Sequence, residues 1–281
     1  MSNLIIVVAY IFIGYILKNI SLPIKDLATK LNKFVIYISL PAMIFLQIPK
    51  LEFSGDTMIP VVVSWGVMIL SAILVFFIAK YLKFSKEVTG SLMFVTVLTN
   101  SSFLGIPIVG SFMGEESYPY ILVYDQLGTF IALAIYGTII GAYYSSEGQV
   151  SFKIISLKVL TFPPFVSLVV ALFLNGITFD GLLKNILEIL SASIVPLALI
   201  AVGLQLYFTL PKDDIKPFSI SLFIQLIIAP LIAMGICFIF SWSGFIAQIS
   251  ILEAAMAPMI TAAAMASMLG LAPRLSNAIV G

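Results

Sequence analysis

Histidine is absent from this sequence and cysteine occurs once, as Cys237, inside an apolar run. That excludes a disulfide framework and leaves metal or nucleophile chemistry of the His and Cys kind without its residues. Cys237 is expected to be a small packing residue. Charge is scarce as well. Only 10% of the 281 residues are charged, and a net charge of +1 gives nucleic acid or an acidic partner nothing to recognise. No phosphate loop, nucleotide motif or catalytic triad appears, so neither an enzyme nor a nucleic-acid binder is expected, and no organic cofactor. What fills the chain is apolar: 61% of residues are hydrophobic and the mean hydropathy is +1.17. A soluble domain cannot hide that much apolar surface, which points to an all-α polytopic membrane protein whose main partner is the lipid bilayer.

At about 20 apolar residues per crossing, spans are expected at roughly 3 to 17, 33 to 49, 58 to 80, 88 to 113, 118 to 143, 155 to 176, 184 to 208, 217 to 241, 244 to 270 and from 273 onward. The tenth is incomplete, because the sequence ends at Gly281, too soon after Arg274 to return across a bilayer. The first run, Leu4 to Leu17, lacks a preceding basic segment and a small-residue cleavage site, so it reads as a span and not as a signal peptide. Positive charges alternate between the loops. Lys18, Lys25, Lys30, Lys33, Lys80, Lys83, Lys86, Lys153, Lys158, Lys212, Lys216 and Arg274 fall on one side, and only Lys50 and Lys184 on the other. The first side is therefore expected to be cytoplasmic, with the amino terminus outside a cell (inner) membrane.

Two spans have the wrong composition for unbroken lipid-facing helices. Thr99 to Gly110 (TNSSFLGIPIVG) holds Asn100, two serines, Gly105 and Pro107, and Glu253 to Ala264 (EAAMAPMITAAA) holds a carboxylate and Pro258. Proline lacks the amide hydrogen of an interior helical turn and crowds the carbonyl four residues back, so each helix is expected to break near here. Ser39-Leu40-Pro41-Ala42 also resembles Ile194-Val195-Pro196-Leu197, at nearly the offset that separates Pro107 from Pro258. Five spans per repeat is an odd number, so the halves, about 1–143 and 155–281, would be inverted relative to each other. Inverted repeats with matched discontinuous helices point to a secondary transporter.

In order, GYILKN, LNKFVIYISLPAMIF, NSSFLGIPIVG, LVYDQLGTF, SIVPLALIAVGLQL and EAAMAPMITAAAMAS resemble segments of the auxin efflux carrier family, within the bile acid and auxin carrier superfamily. The resemblance implies one transmembrane transporter domain over 1–281 with ten helices and crossing helices 4 and 9. It further implies a scaffold at about 1–50 and 155–208, a transport part at about 58–143 and 217–281, elevator-like alternating access and a homodimer. Bacterial relatives are commonly assigned to malate or malonate, and plant relatives export an indole carboxylate. The expected activity is therefore secondary transport of a small organic anion such as a mono- or dicarboxylate, coupled to a cation at the crossover. A sodium-coupled symporter of bulkier amphipathic acids, of the bile acid type, and an uncoupled anion uniporter are the alternatives.

Glu253 is the sharpest candidate for coupling, at about nine residues or roughly 13 Å into its span. A carboxylate at that depth is costly unless paired, hydrated or protonated; the bland reading is a structural hydrogen bond. In the bile acid symporters a glutamate followed three residues later by methionine binds sodium, and Glu253 with Met256 matches that spacing. Asn100 and Ser101 offer oxygens for Na⁺ beside Glu253, or else only satisfy freed backbone groups, which is the reading favoured for Ser102. A proton is the other possible coupling ion. Asp125, placed a turn or two below the outer surface, would join the ion site, guide substrate or sit in hydrated interface. Substrate contacts are expected from Asn100, Ser101, Gly105, Ile106, Pro107, Ala257, Pro258, Met259 and Thr261, with half-helices starting after Pro107 and Pro258 turning their amino-terminal ends on the anion. Gln126, Gln205 and Gln225 are read as helix-to-helix hydrogen bonders. Phe162-Pro163-Pro164-Phe165 is read as a kink or re-entrant turn and not as a site.

Overall fold

The computed structural model describes residues 2–20, 26–52, 54–145, 160–206 and 214–280. Lys25, Lys153, Lys158, Lys212 and the start of the expected sixth span lie outside the described residues. The described chain is helical, and its one antiparallel bridge joins Thr99 to Pro258. The helices are α1 Ser2–Asn19, α2 Leu27–Lys50, α3 Gly55–Tyr81, α4 Lys86–Val95, α5 Ser101–Met113 and α6 Glu115–Tyr144. They continue with α7 Pro163–Phe173, α8 Gly181–Gln205, α9 Ile215–Ile239, α10 Phe245–Ala254, α11 Ile260–Met268 and α12 Pro273–Val280. Five of these, α2, α3, α6, α8 and α9, are long and apolar enough to cross a membrane. Their outer faces carry large exposed side chains such as Ile69, Phe77, Ile189 and Met234, as a lipid-facing surface does and a water-facing one does not.

The expected fourth and ninth spans are each two short helices, α4 with α5 and α10 with α11. In the ninth the break covers Ala255 to Met259 and contains Pro258, as its composition indicated. In the fourth the break falls at Thr96 to Asn100, so the second half-helix starts at Ser101 and not after Pro107, which corrects its expected start. Pro107 sits inside α5 two residues after a π-helical turn, Ser101–Gly105, in which the Ile106 amide bonds back to the Ser101 carbonyl. Pro41 follows the π turn Val35–Ser39 in the same way, and Pro230 follows Ile224–Ile228. A wide turn shifts the hydrogen-bond register just where a proline has no hydrogen to give, so the helix continues past it.

Helices α1, α2, α7 and α8 pack mainly on one another, and α3, α4, α6, α9, α10, α11 and α12 form a second group, with α5 touching both. Helix α1 is part of the packed bundle. At its crossing with α8 two glycines meet, and a Cβ on Gly14 would lie 2.9 Å from the Cα of Gly203 and collide with the Ile200 carbonyl. Only a small-residue pair lets two helix backbones come this close. Cys237 is buried in an apolar cluster with Val63, Val67, Ala233 and Ala247, the packing role expected of it.

Candidate functional site

The two helix breaks are hydrogen-bonded to each other. The Asn100 amide donates to the Ala257 carbonyl and the Met259 amide to the Leu98 carbonyl, both at 2.9 Å, on either side of the bridge between Thr99 and Pro258. Pro258 therefore occupies the position where the ladder asks nothing of it, since its neighbours make the bonds. This exchange satisfies unwound backbone that would otherwise be orphaned at membrane depth. A further carbonyl in the break, that of Met256, accepts from the Gln225 side chain of α9 at 3.0 Å, the cross-helix role expected of that glutamine. Gln205 instead bonds within α8, to Ala201.

Helix α5 begins at Ser101. Its amino end is capped by Asn100, whose side-chain oxygen accepts from the Phe103 amide at 3.3 Å while its carbonyl takes the Leu104 and Gly105 amides. Helix α11 begins at Ile260 with no side-chain cap. The first turns of both leave amides without an intrahelical acceptor, and both starts lie at the crossover.

Asp125 is 1% exposed, in a π-helical turn of α6. That burial speaks against the reading of Asp125 as a residue of the hydrated interface. Ser101 and Ser102 donate to one carboxylate oxygen at 2.5 and 2.6 Å, and Gln126 donates to the other at 2.6 Å. The two serines are thus spent on a buried acid and not on freed backbone, and Gln126 pairs with its chain neighbour and not with another helix. Glu253, one residue from the end of α10, is fully buried, and neither of its oxygens has a hydrogen-bond partner among the described residues. It presses on Gly105, where a Cβ would collide with both carboxylate oxygens. Asp125 and Tyr124 are its electrostatic neighbours. The Oε1 of Gln126 is also buried without a partner.

A cavity of about 80 Å³ opens beside the crossover, between the two helix groups. Among the residues expected at a substrate site, Asn100, Met259 and Thr261 line it, together with Asp125. Ala257 and Pro258 serve the bridge, Ser101 serves Asp125, and Gly105 serves Glu253. Ile106 and Pro107 are buried away from it, Ile106 and Met256 in the apolar cluster that joins α2, α5, α6 and α8. No hydrogen bond links Glu253 to Asn100 or Ser101. The sequence reading missed the apolar wall. Phe162 lines the cavity and stacks on Phe130 with centroids 4.2 Å apart, and Ile36 and Leu40 close the side formed by α2. The aromatic and proline cluster at 162–165 was the available signal.

Comparison with known proteins agrees with this architecture. A family model described as membrane transport protein matches residues 1–281. An uncharacterized transporter of Methanothermobacter thermautotrophicus is 28% identical over 268 residues, covering 92% of this chain and 85% of that protein. An uncharacterized transporter of Methanocaldococcus jannaschii is 27% identical over 267 residues, 91% of this chain and 85% of that one. With the match running from end to end, over a multi-pass helical bundle whose two broken helices are hydrogen-bonded at their breaks, the chain belongs to the membrane transport protein family, that of the auxin efflux carriers.

Proposed function

We propose that this transporter is a secondary carrier of a small organic anion, a mono- or dicarboxylate, working by elevator-like alternating access. The observation that carries this reading is the cavity at the hydrogen-bonded crossover, beside the amino-terminal ends of α5 and α11. Unpaired amides and the positive ends of two half-helices make a carboxylate site that needs no arginine. At about 80 Å³ the cavity is well below the roughly 300 Å³ at which pockets for drug-sized ligands begin, which favours a small acid over a bile-acid-sized one.

Ten spans in two inverted repeats are part of the same proposal. The turns after α3 and α9 support it: both close on a non-glycine residue with positive φ, Lys83 at 55° and Ser241 at 55°, with the same pattern of hydrogen bonds. The interval between those two residues matches, to within one residue, that between Asn100 and Met259, which precede α5 and α11. The first helix group, α1, α2, α7 and α8, corresponds to the scaffold, and the second to the moving part. The charge split supports an outward amino terminus in the cell membrane, and a homodimer through the scaffold follows from the family.

Coupling belongs at Glu253. A buried carboxylate with no partner among the described residues fits a monovalent cation, Na⁺ or a proton. The Ser101 hydroxyl hydrogen is given to Asp125 and the Asn100 side-chain oxygen accepts from Phe103, so both residues serve the crossover as well as any cation shell. Counterflow of labelled malate, malonate, indole acetate and taurocholate in proteoliposomes, under Na⁺ or pH gradients, tests the reading. A small carboxylate should exchange, and Glu253→Gln should lose gradient-driven accumulation while keeping exchange. Sodium-driven taurocholate uptake would favour the bile acid alternative. Accumulation by Glu253→Gln equal to the parent under both gradients would favour an uncoupled uniporter.

A further inference from the structure

A second cavity, of about 550 Å³, opens where α3 ends, α4 begins and α6 finishes. Lys80, Lys83 and Lys86 all line it, against walls that include Phe76, Phe84 and Tyr143, and among the described residues no acidic side chain is part of the lining. None of the three lysines makes an ion pair among the described residues. Glu87, the chain neighbour of Lys86, is not among the lining. Its own backbone amide and then the Ser85 side chain hold its carboxyl below the usual range, with Lys86 adding to the effect.

The turn that presents these lysines is strained at one of them. The Phe84 amide reaches back to the Ala79 carbonyl and the Lys83 amide to Lys80, closing α3 with Lys83 at φ 55°, a position that favours glycine. The matching turn after α9 places Ser241 there, in the uncharged run Phe240 to Gly244, so the turn itself does not require a lysine. On the last turns of α3, Ile73, Phe77 and Tyr81 are exposed apolar or aromatic groups, as at a membrane interface.

We infer that this cavity is a binding site for an anionic phosphate group, supplied by a lipid headgroup whose acyl chains lie along the exposed face of α3. Three cations converge with aromatic walls, which is how basic pockets at a membrane surface select anionic lipids. The inference is independent of the transported substrate. The test uses the full chain in neutral detergent, following thermal stability and native mass spectra on adding phosphatidylglycerol, phosphatidylcholine or inorganic phosphate. Phosphatidylglycerol should bind and stabilise where phosphatidylcholine does not. Its apparent affinity should fall roughly fivefold for each lysine replaced by glutamine and on the order of a hundredfold for the triple replacement. Replacing the remote Lys30 and Lys33 should change it little. Full stabilisation by inorganic phosphate alone would keep the site and make a soluble phosphate its source. Lys83→Gly guards against a folding artefact, because it should be at least as stable as the parent without lipid yet respond less to phosphatidylglycerol. An equal response in the parent and the triple variant, or an equal loss in the Lys30 and Lys33 variant, overturns the inference.

Discussion

Glu253 lies in the space that a side chain on Gly105 would fill, so the acid of one broken segment is seated directly on the backbone of the other. The contact ties the carboxylate to the crossover itself and explains why a glycine stands in the first turn of α5. Gly105→Ala should therefore displace Glu253, lowering stability by about 1–3 kcal/mol, the usual cost of overpacking. Transport should fall with it. In a double-mutant cycle Glu253→Ala should recover much of the lost melting temperature without recovering coupling; additive effects would mean that the two residues do not meet.

The acid network around Asp125 makes a separate prediction. Ser101→Ala and Ser102→Ala each remove a donor from a buried carboxylate, and each should cost roughly 1–3 kcal/mol. Asp125→Asn should make both serine changes milder, because the charge they serve is gone. Thermal denaturation of the single and double variants in one detergent measures this directly.

The two prolines should behave differently. Pro107 rides inside a continuous α5 behind a π turn, so Pro107→Ala should leave counterflow largely intact. Pro258 stands in the break opposite Thr99, and an alanine there could extend α10 and pull Ala257 and Met259 from their bonds to Asn100 and Leu98. Exchange should drop sharply in Pro258→Ala alone. Equal losses in both would return Pro107 to the site.

Orientation can be read with single cysteines in a Cys237→Ala background, since the native thiol is buried. Ser85→Cys should label only from the cytoplasm and Glu115→Cys only from outside. The reverse pattern would overturn the charge argument and the inverted repeat with it.

Composition and local order were enough to establish a multi-pass helical protein, its family and the two segments where polar residues interrupt apolar runs, because hydropathy and motif order are written residue by residue. Glu253 could be picked out the same way, since a carboxylate deep in an apolar run has few bland explanations. Three features depended on distant parts of the chain. Pro107 carries the same local penalty as Pro258, yet a π turn absorbs it, so the break settled where Thr96 to Asn100 could exchange hydrogen bonds with Ala257 and Met259. Asp125 read along its own helix left a hydrated position open, but it is buried, with the hydroxyls of Ser101 and Ser102 reaching it from α5. Phe162 joined the cavity through its stack on Phe130. In each case the deciding partner comes from another helix, and a one-dimensional pattern holds no term for it until the helices pack.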